Sequence, residues 1–164
     1  MYFYVPNKQL IMKLLKSPTF KDNRGSYTPI RLDVMDIKWV QSSISYNQNK
    51  FTFRGMHYQE NNPQTKYVKV IKGSIIDFIY DLKTKEVEYI KVDENSAVLI
   101  DNTKAHGFIT LEPETIVTYL VDGEYNPKSE RSIVWDTIPE IKSEIYKIIG
   151  ESELVISEKD SKGK

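Results

Sequence analysis

The sequence predicts an all-β protein, a sandwich or barrel of antiparallel strands that closes on one short helix near the C-terminus. Three observations carry this. Short runs rich in β-branched and aromatic residues fill the middle of the chain. Turn residues separate them at spacings of about 8–12 residues, the rhythm of all-β architectures. One segment near the end breaks the rhythm and follows a helical period instead.

In chain order, "KYVKVI" (66–71) alternates and ends at the Lys72-Gly73 turn. "SIIDFIYDL" (74–82) is β-branched and aromatic and stops at a polar turn. "VEYIKV" (87–92), "SAVLID" (96–101), "GFITL" (107–111), "TIVTYLV" (115–121) and "RSIVWD" (131–136) follow as further strands. In "IPEIKSEIYKIIGE" (138–151), Ile141, Ile145 and Ile148 fall at i, i+4 and i+7, and Gly150 is a stop signal, which predicts a short amphipathic helix. The tail "SEKDSKGK" (157–164) is polar and reads as loose on composition.

The 164 residues suit one domain, 1–164, with a sizeable core. Lys+Arg and Asp+Glu both number 23, so no global field attracts nucleic acid, and any anion site must be local. The absence of Cys excludes disulfides, thiolate metal sites and cysteine nucleophiles. The first 20 residues do not read as a signal peptide, and no apolar run approaches the ~18 residues of a membrane span. A cytoplasmic protein without membrane attachment is the expectation.

Asp77 is an anomaly. It lies inside "SIIDFIYDL", sharing a strand face with Ile75 and Ile79. Either that face is exposed, isoleucines included, or Asp77 is a buried acid that orients a catalytic group, since a buried carboxylate is costly unless paired.

The chain has two histidines, His57 and His106, and one stands in "RGMHYQ" (54–59). Around it, in order, stand "DNRG" (22–25), "QSSIS" (41–45), Lys66, Asp77, "AHGF" (105–108), "EYNP" (124–127), "ERSIVWD" (130–136) and "SEKD" (157–160). Each motif is weak alone. As an ordered series over nearly the whole chain, they resemble the dTDP-4-dehydrorhamnose 3,5-epimerase family of nucleotide-sugar epimerases.

The resemblance implies an antiparallel jelly roll of the cupin type, a homodimer, and epimerisation at C3, C5 or both of a 4-keto-6-deoxy nucleotide sugar, with no cofactor and no metal. It implies that His57 is the general base, with Asp160 its partner, so that the polar tail 152–164 contributes to the site. It gives Lys66, helped by Ser45, the enolate oxygen, and Tyr125 the proton donor on the opposite sugar face. His106 and Asp77 would line the same pocket, Arg54 and Arg24 would grip the diphosphate, and Gln59 is assigned to the substrate pocket with them.

The chemistry suits these residue types. A proton α to a ketone needs a base of near-neutral pKa and positive charge where the oxyanion develops. A carboxylate on the far imidazole nitrogen sets the tautomer and stabilises the imidazolium. Inversion needs a second donor, and a phenol stays protonated at neutral pH. Taken singly, His57 could be a hydrogen-bonded core residue, Lys66 and Arg54 solvated edge charges, and Arg24 a turn marker. Tyr119 in "IVTYLV" rivals Tyr125, although its strand context favours the core.

Two departures from the family pattern stand out. Ser43 replaces an Asn, and Pro29 replaces a Glu, which leaves the nucleotide base open. A cupin 3,4-ketoisomerase is the nearest alternative, but it would place a second His where Gln59 stands. Metal-dependent cupins need three His and a carboxylate, and two His cannot supply them. A non-catalytic sugar-binding cupin is the alternative outside enzymes.

Overall fold

The computed structural model describes residues 3–4, 12–30 and 36–163. Residues 1, 2 and 5–11 of the N-terminal stretch read above for a signal peptide lie outside them. Among the described residues no helix is long and apolar enough to cross a membrane.

Two sheets face each other. The first runs β1 (Phe3–Tyr4), β9 (Val87–Asp93), β8 (Ser74–Asp81), β11 (Lys104–Thr110), β6 (Thr52–Gln59), β13 (Glu130–Ser132), with β14 (Val155–Ile156) also on β6. The second runs β2 (Met12–Lys16), β10 (Ser96–Ile100), β7 (Lys66–Lys72), β12 (Thr115–Val121), β5 (Gln41–Asn47). Pairing is antiparallel throughout except β14 on β6. A separate hairpin, β3 (Phe20–Asp22) and β4 (Gly25–Tyr27), stands apart. This is the all-β sandwich that the strand runs predict, with the antiparallel jelly-roll form that the family resemblance implies.

The first sheet is apolar on both faces, which explains the near-continuous hydrophobicity of β8. One face carries Ile75, Ile79 and Phe108 against Val68, Val70, Val98 and Val117 of the second sheet. The other carries Phe53, Ile76, Phe78 and Ile109 against Ile141 and Ile145 of helix α1 (Pro139–Ile149). Pro139 occupies the first turn of α1, where its missing N–H has no partner to lose. Ile141 and Ile145 are fully buried, so the predicted isoleucine stripe is the packing face.

Two predicted elements change. The strand expected over 131–136 is only Glu130–Ser132, and a 3₁₀ turn, Trp135–Thr137, follows it. Trp135 turns inward to stack near Phe53, with ring centroids 6.0 Å apart. The tail read as loose contains a second helix, α2 (Glu158–Lys162), and Asp160 within it is 4% exposed. Ser157 caps α2, its Oγ accepting from the Asp160 N–H at 3.1 Å.

Candidate active site

A cavity of about 290 Å³ opens between the sheets at one end. Its lining follows strand alternation. Gln41, Ser43 and Ser45 of β5, Lys66 of β7, and Tyr119 and Val121 of β12 are inward-facing positions of the second sheet. His106 and Phe108 come from β11, and Arg54 and His57 from β6.

Arg54 and His57 are three residues apart, so a regular strand would point them to opposite faces. The ladder resolves this: His106 pairs with His57, but Phe108 pairs with Arg54, so β6 spends one residue more than β11 between the two pairs. This bulge resets the alternation and puts both side chains in the cavity. Glycines allow it. A Cβ on Gly55 would lie 2.5 Å from the Gly107 Cα, and one on Gly107 would lie 2.7 Å from the Met56 Sδ. The "RG" before His57 and the "HG" at His106 are therefore two sides of one close backbone approach.

His57 Nε2 lies 2.7 Å from Asp160 Oδ1. The other Asp160 oxygen accepts from the Gly55 N–H at 3.2 Å. Burial opposes ionisation of Asp160, but the hydrogen bond and charge of His57, with the Gly55 N–H, hold its pKa below the ordinary value. The expected His–Asp pair is thus formed, across most of the chain.

Lys66 reaches from the second sheet to the first, and its Nζ donates to the His57 carbonyl at 3.1 Å. Burial pushes its pKa down to about 8, against the pull of Asp77 and Glu130. Asp77 is fully buried, as are Ile75 and Ile79, so the reading in which this face is exposed is ruled out. Its Oδ2 lies 3.0 Å from His106 Nε2. Its Oδ1 has no hydrogen-bond partner among the described residues.

Arg54 Nε donates to Asn47 Oδ1 at 2.7 Å, and Ser45 Oγ donates to the same oxygen at 3.3 Å. Tyr119 does more than fill the core: it packs near Phe108 and lines the cavity. Burial raises its pKa, opposed by a hydrogen bond with Ser45.

Tyr125 lines the cavity from the connection between β12 and β13 and is 51% exposed. Its hydroxyl donates to Glu130 Oε2 at 3.0 Å. Gln59 does not line the cavity, contrary to its assignment to the substrate pocket. Its amide is spent on the chain around Tyr125: Nε2 donates to the carbonyls of Asn62 and Glu124, and Oε1 accepts the Asn126 N–H at 2.6 Å. Arg24 is also elsewhere. It sits in the β3–β4 hairpin, bound to Asp22 at 2.6 Å, with its side chain 86% exposed.

Sequence reasoning gave no role to Gln41, Gln64, Asn47, Glu130 or Lys159, since polar residues on strands and loops carry no signal of their own. Only the inward parity of β5 could have pointed to Gln41. Among the described residues, no group of three or more His, Asp or Glu is placed to hold a metal ion.

A jelly roll of the cupin type, with two His–Asp pairs, a lowered lysine and a tyrosine around one cavity, is the class that fold and site define. The sequence model for dTDP-4-dehydrorhamnose 3,5-epimerase matches residues 11–164. The enzyme of that name from Methanothermobacter thermautotrophicus is 34% identical over 90% of this chain and 85% of its own. The one from Sinorhizobium fredii is 32% identical over 92% and 82%. The crystal structure of the Bacillus anthracis enzyme, with TDP and PPi bound, superimposes with a TM-score of 0.78 at 30% identity, covering 92% of this chain and 91% of that one. The chain belongs to the dTDP-4-dehydrorhamnose 3,5-epimerase family and is a carbohydrate epimerase.

Proposed function

We propose that the protein inverts C3, C5 or both of a 4-keto-6-deoxy nucleotide sugar, with dTDP as the nucleotide that its relatives' names favour. The observation that carries this is the convergence of His57–Asp160, Lys66 and Tyr125 on one cavity. His57 removes the proton next to the C4 ketone, and Asp160, held ionised, stabilises the imidazolium. Lys66, cationic below its lowered pKa, faces the enolate oxygen, with Ser45 assisting. Tyr125 delivers a proton to the opposite face. His106 and Asp77 form the adjoining wall, and Arg54 meets the diphosphate. The ketone of the substrate supplies the activation, so the reaction needs no redox step.

Gln59 favours this reading over 3,4-ketoisomerisation. It stands where that activity would want a second histidine, and its side chain is committed outside the cavity. The test is proton NMR of dTDP-4-keto-6-deoxyglucose in D₂O with the enzyme. Loss of the C3 signal, the C5 signal or both is expected. Retention of both would defeat the proposal.

The same reading includes a homodimer in the cytoplasm, where nucleotide sugars are made. Its support is the strand at one end of the second sheet. On β5, Ile44 is 77% and Tyr46 54% exposed on the outer face, beside a strand edge that pairs with no other strand among the described residues and that a second copy would cover.

A further inference from the structure

Arg54 differs from the other described arginines. Arg24 is paired with Asp22 at 2.6 Å, and Arg131 with Glu60 at 2.7 Å. Arg54 lines the cavity with no carboxylate partner among the described residues. Its Nε donates to the side-chain carbonyl of Asn47 at 2.7 Å, and among the described residues no acceptor meets its other nitrogens.

Asn47 is arranged to hold that contact. It ends β5, on the same face as Ser43 and Ser45, yet it is 2% exposed and does not line the cavity. Its Nδ2 donates to the Thr115 carbonyl of β12 at 3.1 Å and to the Ser45 carbonyl at 3.3 Å. Both acceptors are backbone carbonyls, so the amide must turn its oxygen the other way, toward Arg54. The contact crosses between the sheets, since Asn47 stands on β5 and Arg54 on β6.

The residue type matters. A long cationic side chain loses rotamer freedom when it grips an anion, and a contact that orders it beforehand lowers that cost. A carboxylate at position 47 would order Arg54 but would also cancel its charge. A neutral amide oxygen holds Nε and leaves the charge, with Nη1 and Nη2, for a bidentate hold on phosphate oxygens. We propose that Asn47 is a positioning residue for Arg54, setting the guanidinium for a diphosphate without neutralising it. This rests on reading Arg54 as the residue that meets the diphosphate.

The test is calorimetric titration of the whole chain with dTDP. Asn47→Leu, of similar size but without hydrogen bonds, should weaken binding about fivefold to tenfold, the cost of ordering one long side chain. Asn47→Asp should also weaken it and flatten its dependence on salt, because Arg54 then carries its own counter-charge. Arg54→Met should lose about 10- to 100-fold by itself, and adding Asn47→Leu to it should cost nothing more. A residue that only braces β5 against β12 would add the same loss in both backgrounds. Parental affinity in Asn47→Leu, or equal losses with and without Arg54, overturns the positioning role. Where Asn47→Leu folds poorly by circular dichroism, Asn47→Ser, whose side chain is too short to reach Nε, takes its place in the cycle. If Arg54→Met binds dTDP as the parent does, the reading of Arg54 falls first.

Discussion

At the scale of single residues, Lys66 sets the most direct expectation. Its amine is useful only as a cation, because the charge developing on the substrate oxygen is negative. Burial brings its pKa from 10.5 down to about 8, so the group discharges as pH rises through that value. The profile of kcat/KM should therefore fall on its alkaline side near pH 8. Lys66→Arg, whose side chain stays charged, should lose activity overall but move that limb upward. An alkaline limb that stays near pH 8 in Lys66→Arg would assign the titration to another group.

His57 and Asp160 should fail in a related way. His57→Asn removes the base and should abolish wash-in at both carbons while leaving nucleotide binding nearly intact. Asp160→Asn keeps the shape but cannot stabilise the imidazolium, and a loss of about 10²–10⁴ in kcat is expected from comparable dyads. Equal wash-in by Asp160→Asn and the parent, followed by NMR, would leave the pair a structural contact. Tyr119→Phe separates the two tyrosines. It should leave the ratio of wash-in to inversion near the parent's, whereas Tyr125→Phe should exchange deuterium with little inversion.

At the scale of elements, the β6–β11 crossing is the critical construction. The extra residue in β6 is tolerable only because two glycines meet there. Gly107→Ala would force a methyl group against the Met56 sulfur and the Gly55 backbone, and overpacking of this kind costs about 1–3 kcal/mol. We expect a lowered thermal midpoint and a larger loss of activity than of stability, since the distortion falls between His57 and His106. A midpoint within error of the parent's, measured by calorimetry, would mean that the two strands can simply move apart. The helix α2 is the second such element. Its order comes from the Ser157 cap and from Asp160 buried against His57 and Gly55, which supply what its polar composition lacks.

At the scale of the whole molecule, the two sheets divide the work. The first carries His57, His106 and Asp77 and is braced on its far face by α1; the second brings Lys66, Ser45 and Tyr119 from across the cavity. Among the described residues, no helix covers the outer face of the second sheet at its β5 edge. Replacing Ile44 with Asp should convert a dimer to a monomer in light scattering without loss of secondary structure. If the parent already runs as a monomer, the β5 surface needs another explanation.

Local pattern was enough to read the strands from Lys66 to Val121, the isoleucine stripe of α1 and the anomaly of Asp77. Period and turn chemistry act over a few residues and are written directly in the order of amino acids. The family resemblance of the ordered motifs pointed to His57, Lys66, Tyr125 and Asp160, which the fold gathers at one cavity. What required the folded chain was orientation and distance. A bulge, not alternation, turns Arg54 and His57 to the same side. Gln59 points at the Tyr125 loop and not at the cavity, and Arg24 is paired within its own hairpin. The tail is ordered by a partner 103 residues away. Contacts of that span depend on how two sheets stack and where a strand gains a residue. No window of sequence short enough to show a period contains them.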